Sequence, residues 1–345
     1  MGTRAVVGVL LVVAVVVAGA ACGDGGRSSD DDATPAPPGA DTPSAELYVG
    51  VEPPTTATGD TVEGSLRTPD GRERTYRVYV PSSLPTTEPA PLLIALHGGL
   101  GSASQFQASS GFDEVAEANG FLVVYPDGSG LGRDGARMRT WNGGYCCGRS
   151  ARDAVDDVGF IALLLDAVAE KFEVDPARTY AAGHSNGGIM SYRLACELSD
   201  RIVAVGVQAA SLGVDVCAGD APVSLLHLHG TADDNHPIDG GEGSGVAGVD
   251  FRPAVDGLES VAAADGCDDG PVDARVESNP DLTVTAWGGC APGVAVELVA
   301  VEGATHAWMG HGSGSSVAEQ MVGEPYADLD ASLAIWAFLA AHPRS

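Results

Sequence analysis

The order of segments along the chain predicts an α/β fold with a mostly parallel central sheet flanked by helices, and three observations carry that expectation. The continuous apolar run at 91–96 has the composition of a strand buried on both faces, and 223–228 reads as another buried strand. Helical periodicity alternates with such runs, most clearly from Asp156, where Val158, Ile161, Leu164, Leu165, Val168 and Phe172 recur three or four residues apart. Finally, Gly183-His-Ser-Asn-Gly187 lies between a strand-like and a helical segment, where a glycine-flanked serine can form a tight turn that lifts its hydroxyl above the sheet.

The amino-terminal segments precede this pattern. Arg4 is the one positive charge before an unbroken run of apolar and small residues, Ala5 to Ala21, which ends at Cys22. The run is short for a membrane span, and residues 1–22 are expected to be an export signal. It resembles a bacterial lipoprotein signal in which Cys22 is lipidated; Gly19 stands where Leu or Val is usual, so ordinary cleavage and secretion is the alternative. Residues 23–46 are rich in Gly, Ser, Asp, Pro and Ala and bury too little apolar surface to fold, so they are expected to be a disordered linker. The folded domain is expected over 47–345, about 300 residues, enough for one core.

Within it, Thr61–Thr68 and Arg74–Val80 alternate in polarity around Pro69-Asp-Gly71 and predict a hairpin. Strand 91–96 leads into His97-Gly-Gly-Leu-Gly101. A helix follows over 112–119, then strand 121–125 and the Pro126-Asp-Gly turn. Residues 133–152 form a long cysteine-containing insertion, and loops of that length are commonly functional. After the helix from Asp156 come strand 178–182, a helix over 189–198, and strands 202–207 and 223–228. A helix near 255–264, a cysteine-bracketed excursion over 267–290, a last strand over 294–301 and a closing helix over 329–341 complete the chain.

The formal charge of −29 excludes nucleic acid and anionic membrane surfaces as attractive partners, because both would be repelled. Setting Cys22 aside from the seven cysteines leaves six, an even number that in an exported chain suggests three disulfides. Cys267 with Cys290 is the preferred pair; Cys146 and Cys147 either bond each other or reach Cys196 and Cys217. The spacing supplies no metal-ligand set, and no phosphate-cradling or dinucleotide glycine pattern is present, so neither metal nor cofactor is implied.

A serine hydroxyl needs a base to take its proton, and the base needs an acid to fix its tautomer. Ser185, Asp233 and His306 occur in the order nucleophile, acid, histidine, each just beyond a predicted strand. Asp234 and Asp239 share the acid's loop, but Asp233 lies nearer the strand end in a Gly-Thr-Ala-Asp context. His311 is the rival base; His97 is assigned to bracing a glycine turn, and His184 to pointing away from the serine hydroxyl. An oxyanion requires two aimed donors. These are the backbone N–H of Asn186 and one from the 97–100 turn, with Gly99 first choice and Leu100 second.

Together these residues resemble the extracellular polyhydroxybutyrate-depolymerase-like esterases, related to the feruloyl and acetylxylan esterases of carbohydrate esterase family 1. The resemblance spans 64 to 310 and rests on Leu96-His-Gly-Gly99, Tyr125-Pro-Asp-Gly128, Trp141-Asn142 with Cys146-Cys-Gly148, Asp156-Asp-Val-Gly-Phe160, Ser185-Asn-Gly-Gly188, His229-Gly-Thr-Ala-Asp233 and His306-Ala-Trp308. It implies an α/β-hydrolase fold, an ester substrate that is small or polymeric, and Ser185, Asp233 and His306 as nucleophile, acid and base. His184 replaces the more usual Leu, and Met309 the usual Pro, so the acyl pocket is expected to be this chain's own. Trp141, Trp308 and His184 are the candidates for its walls, the two indoles as platforms for an aromatic acyl group or a sugar ring.

Overall fold

Local sequence and burial together explain where each element begins and ends. The computed structural model describes residues 56–131, 135–312 and 316–344. The export segment 1–22, Cys22 and the linker 23–46 lie outside the described residues.

Strands β1 (Asp60–Arg67) and β2 (Glu73–Val80) form the expected antiparallel hairpin, with Arg67 opposite Glu73 and Asp60 opposite Val80. Strand β3 (Ala90–Leu96) is buried along its whole length, which is why its residues are apolar on both faces. Helix α1 (Ala103–Ser110) is capped by the Ser102 hydroxyl, which accepts from Gln105 N–H, and meets α2 (Phe112–Asn119) at Gly111, whose φ of 79° permits the sharp join. Strand β4 (Leu122–Pro126) follows.

Strand β5 (Ser129–Leu131), just before the insertion, pairs antiparallel with β6 (Arg137–Thr140) inside it, and the Cys146–Cys147 disulfide and the short helix α3 (Gly148–Arg152) follow. Asp156 caps α4 (Asp157–Ala169) by accepting from Gly159 N–H. Strand β7 (Val174–His184) starts earlier than the Asp175-Pro176 turn signal suggests, because a register shift against β3 between Ala90 and Leu92 absorbs the irregular residues. Helix α5 (Asn186–Glu197), β8 (Ala204–Gln208) and β9 (Ser224–Gly230) come next.

A minor pair, β10 (Gly241–Glu242) and β11 (Asp250–Phe251), precedes α6 (Ala254–Ala264). The cysteine-bracketed excursion is a second antiparallel hairpin, β12 (Asp269–Arg275) and β13 (Leu282–Gly288), which joins the main sheet through β14 (Val296–Val301). Helices α7 (Ser316–Val322) and α8 (Ala331–Ala341) close the chain, the latter capped by Asp330.

The main sheet runs β1-β2-β4-β3-β7-β8-β9-β14-β13-β12. Its centre, from β4 to β14, is parallel throughout, with an antiparallel hairpin at each edge. Two cores lie on opposite faces. One gathers Phe160, Ile161 and Leu164 of α4, Ile189 and Tyr192 of α5, and Leu258 of α6. The other gathers Phe106 of α1, Phe112 of α2, and Ile335 and Phe338 of α8; there Trp336 stacks on Phe121 at 3.5 Å between ring centres. This two-sided burial is what the doubly apolar strands require. The remaining disulfides are Cys196–Cys217 and Cys267–Cys290, the latter the expected pair.

Candidate active site

The parallel strands all end on one edge of the sheet, and the chemistry-bearing side chains hang from their carboxyl ends. Ser185 occupies the turn between β7 and α5 with φ 54° and ψ −120°, a conformation that costs a non-glycine residue on the order of 1–3 kcal/mol. The surrounding glycines explain how the turn is tolerated. A Cβ at Gly183 would fall on the Gly187 backbone, and one at Gly187 on the carbonyls of Leu96 and His97. Ser185 N–H donates to Gln208 O at 2.9 Å, which ties the turn to the end of β8.

Asp233 follows β9 and His306 follows β14. The Ser185 hydroxyl lies 2.9 Å from His306 Nε2, and His306 Nδ1 lies 2.7 Å from Asp233 Oδ2. A carboxylate only accepts, so Nδ1 carries the proton and Nε2 is free to accept from the serine. The other Asp233 oxygen accepts from Asn235 N–H at 3.0 Å and His236 N–H at 2.9 Å. Burial works against the charge on Asp233, but these bonds and the facing imidazoles outweigh it and hold the carboxyl below its ordinary value of 3.8. Asp234 and Asp239 are exposed, and His311 faces Asp330 at 3.1 Å. The structure therefore brings together the three residues chosen from sequence and directs the named rivals elsewhere.

His184 donates from Nε2 to the His306 carbonyl at 2.7 Å, and burial followed by the neighbouring His306 pushes its imidazole down to about 3. It is a neutral brace on the His306 backbone. His97 fills the role expected of it. Its Nδ1 donates to Gly98 O at 2.7 Å and its Nε2 accepts from Gly128 N–H at 2.9 Å, and burial lowers it to about 4. The amide of Asn186 opens α5 and so has no acceptor four residues earlier in the helix, which leaves it free beside Ser185. The Gly99 amide likewise donates to no acceptor among the described residues. Leu100 must be corrected: its N–H donates to Arg139 O at 2.7 Å, so it is not an oxyanion donor.

Trp141 must be corrected as well. Its indole is 0% exposed, donates from Nε1 to His97 O at 2.9 Å, and its backbone N–H and C=O are both bonded to the Asn186 side chain, so it is core beneath the turn and not a substrate platform. Trp308 is 6% exposed and lines the cleft, while its Nε1 donates to Ser110 O and Ser332 Oγ. It is a fixed wall, with His184 edge-on to it at 5.7 Å.

Two adjoining cavities of about 660 and 390 Å³ meet at Ser185 and His306. The larger is walled by Phe106, Met138, His184 and Trp308, the smaller by Cys147, Ile189, His236 and Phe251. Leu100, Met321 and Val322 border both. Sequence reasoning missed Met321 and Val322 because α7 shows no amphipathic period. It also missed Gln208, which is fully buried: its Nε2 donates to Ala307 O at 2.8 Å and its Oε1 accepts from Met309 N–H at 3.1 Å. One residue thus holds Ser185 through its backbone and the His306 loop through its side chain. The only signal for it was a polar residue ending an apolar strand.

The parallel sheet with antiparallel edges and a strained serine between strand and helix define an α/β hydrolase. Residues 68–236 match the family model described as "Putative esterase", and "Putative esterase NocK" of Nocardia uniformis subsp. tsuyamanensis is 30% identical over 295 residues, 80% of this chain and 83% of that one. The chain belongs to this esterase family of carboxylic ester hydrolases. Feruloyl esterase B of Piromyces equi is 33% identical over 237 residues, 67% of this chain and 42% of that protein. The bifunctional acetylxylan esterase/xylanase XynS20E of Neocallimastix patriciarum is 26% identical over 236 residues, 68% of this chain and 31% of that one. The chain therefore spans less than half the length of these last two relatives.

Proposed function

We propose that this protein is an exported serine esterase that cleaves carboxylic esters through an acyl-enzyme, with Ser185, His306 and Asp233 as its triad. The observation that carries the reading is the unbroken line of hydrogen bonds from the Ser185 hydroxyl through His306 to Asp233 at the junction of two cavities. As Ser185 Oγ attacks the ester carbonyl, His306 Nε2 takes its proton, and the same proton passes to the departing alcohol. Asp233 keeps Nδ1 protonated and stabilises the imidazolium. The Gly99 and Asn186 amides receive the oxyanion. Water then enters, gives a proton to His306 as it attacks the acyl carbon, and the acid is released as the bond to Ser185 Oγ breaks and His306 returns that proton to the serine. Acyl group and alcohol occupy the two lobes on either side of Ser185.

The substrate class is feruloyl or acetyl esters of polysaccharide, supported by the names of the two relatives and by a cleft that runs past the serine in both directions; short hydroxybutyrate esters are the comparison class. Export, with Cys22 as the lipidated residue, rests on the amino-terminal sequence alone. The test is purified protein assayed on methyl ferulate, acetylated xylan, hydroxybutyrate oligomers and a peptide amide, together with a fluorophosphonate probe. Ester cleavage and stoichiometric labelling are expected, and Ser185→Ala should abolish labelling and lower kcat at least about a thousandfold. Cleavage of the amide in preference to the esters would make it a peptidase, and absence of both label and turnover would make it a binding protein on an esterase scaffold.

A further inference from the structure

Beside the acid loop lies a buried polar chain that the proposed chemistry does not use. The Tyr192 hydroxyl meets His227 Nδ1 at 2.7 Å, His227 Nε2 meets His229 Nδ1 at 2.9 Å, and His229 Nε2 meets the His236 carbonyl at 2.8 Å. The next link is the His236 N–H that donates to Asp233 Oδ1. All four side chains are buried, and His227 and His229 share one face of β9 because strand side chains alternate, which stacks their rings 5.0 Å apart.

Only one arrangement of protons satisfies this chain. A carbonyl oxygen can only accept, so His229 Nε2 must carry hydrogen and its Nδ1 must accept. His227 Nε2 therefore donates, its Nδ1 accepts, and the Tyr192 hydroxyl supplies that proton. Burial pushes all three imidazoles down from their ordinary value, so they stay neutral and the order is fixed. An interior strand would ordinarily carry apolar residues at these positions, since imidazoles buried without partners cost free energy that apolar groups do not. The chain also crosses the elements that must stay in register: Tyr192 is on α5, the helix that begins at the Ser185 turn, and His236 is in the loop that holds Asp233.

We propose that Tyr192, His227 and His229 are positioning residues, a proton-ordered strut that fixes the His236 backbone at its carbonyl and, through the N–H on the other side of the same residue, the Asp233 carboxylate. The strut rests on the triad reading for its catalytic consequence, but its geometric consequence is independent of it. His229 Nε2 also stands 3.7 Å from Asp233 Oδ2, so its loss would remove a dipole from beside the carboxylate as well as the anchor of the loop.

The test compares His229→Leu, His229→Gln and Tyr192→Phe in the full chain, reading kcat and KM on a small ester and hydrogen exchange of the His236 amide. Gln places a donor near the position of Nε2, whereas Leu places none. His229→Leu is expected to lower kcat about tenfold with KM little changed, the rate equivalent of roughly one lost hydrogen bond, and to expose the His236 amide to exchange. His229→Gln should recover most of both effects. Tyr192→Phe removes one oxygen at the far end and should give the same pattern more weakly, which keeps the test decisive if His229→Leu does not fold. Equal kcat and equal His236 protection across the folded variants would overturn the strut, as would a loss in His229→Leu that Gln does not recover. If wild type and Ser185→Ala hydrolysed esters equally, the triad reading would fall, and His236 protection alone would then decide the strut.

Discussion

Asn186 is bonded at both ends of its amide to one peptide group: Oδ1 accepts from Trp141 N–H at 2.7 Å and Nδ2 donates to Trp141 O at 3.0 Å. The residue after the candidate nucleophile therefore contributes a side chain that fastens the insertion to the turn, as well as its own backbone N–H. Asn186→Ala keeps that N–H but strands two buried backbone groups, and it is expected to lower the unfolding free energy by about 2–4 kcal/mol. Denaturant midpoints measure it, and an unchanged midpoint would show that the clamp contributes nothing to stability. At this scale the three candidate residues were legible because a nucleophile, acid and base of this kind would follow separate strands in a fixed order, and Ser185, Asp233 and His306 each follow a strand and lie within hydrogen-bond reach of one another. Trp141 was misread because an indole suits a core and a sugar platform equally well, and only its complete burial separates the two. Leu100 was misread because nothing in a glycine-rich turn tells which amide is already taken by Arg139.

Most of the elements that escaped sequence reasoning carry a weak periodic signal. Helix α1 buries only Ala103, Phe106 and Ser110, so no apolar stripe announces it. Strand β12 is exposed along nearly its whole length as an edge strand, and it carries a Pro and a Gly that argue against a strand. Its partner β13 alternates properly in Leu282-Thr-Val-Thr-Ala-Trp-Gly288, but the bracketing cysteines made the whole segment resemble a loop. The strands buried on both faces and helix α4, by contrast, were legible from hydrophobic pattern alone. The edge hairpin and the end of α6 are joined by Cys267–Cys290, 23 residues apart in sequence. Replacing both cysteines with Ala is expected to destabilise the protein by about 3 kcal/mol, mainly by releasing the unfolded chain. Thermal unfolding of the double variant checks this, and hydrogen exchange should place the loss in β12 and β13 first, since β12 pairs on one side only.

Across the whole molecule, 47 acidic residues against 18 lysines and arginines give the net charge of −29, and self-repulsion should make the fold more stable as salt is added near neutral pH. Acids that burial pushes up add a pH dependence of their own. Burial pushes Asp265 up to about 7 and Asp113 up to about 6, from an ordinary value of 3.8. Between the unfolded and folded values the native state holds more protons than the unfolded chain, so these groups make stability fall as pH rises from about 4 to about 7 and leave it flat above that. Asp233, held low, acts in the opposite sense: its contribution is present above its unfolded value and is lost as pH falls through its folded one. Mildly acidic pH should therefore be where the fold is most stable. Asp265 isolates the effect best, because its Oδ1 accepts from Val223 N–H at 3.1 Å while Oδ2 has no hydrogen-bond partner among the described residues. Asp265→Asn keeps the acceptor and cannot ionise. Its stability at pH 8 should exceed that of wild type, the two should converge near pH 4, and the slope between should drop by up to about 1.4 kcal/mol per pH unit, one proton's worth. Parallel pH profiles for the two proteins would mean that Asp265 is ionised in the fold and that solvent reaches its second oxygen.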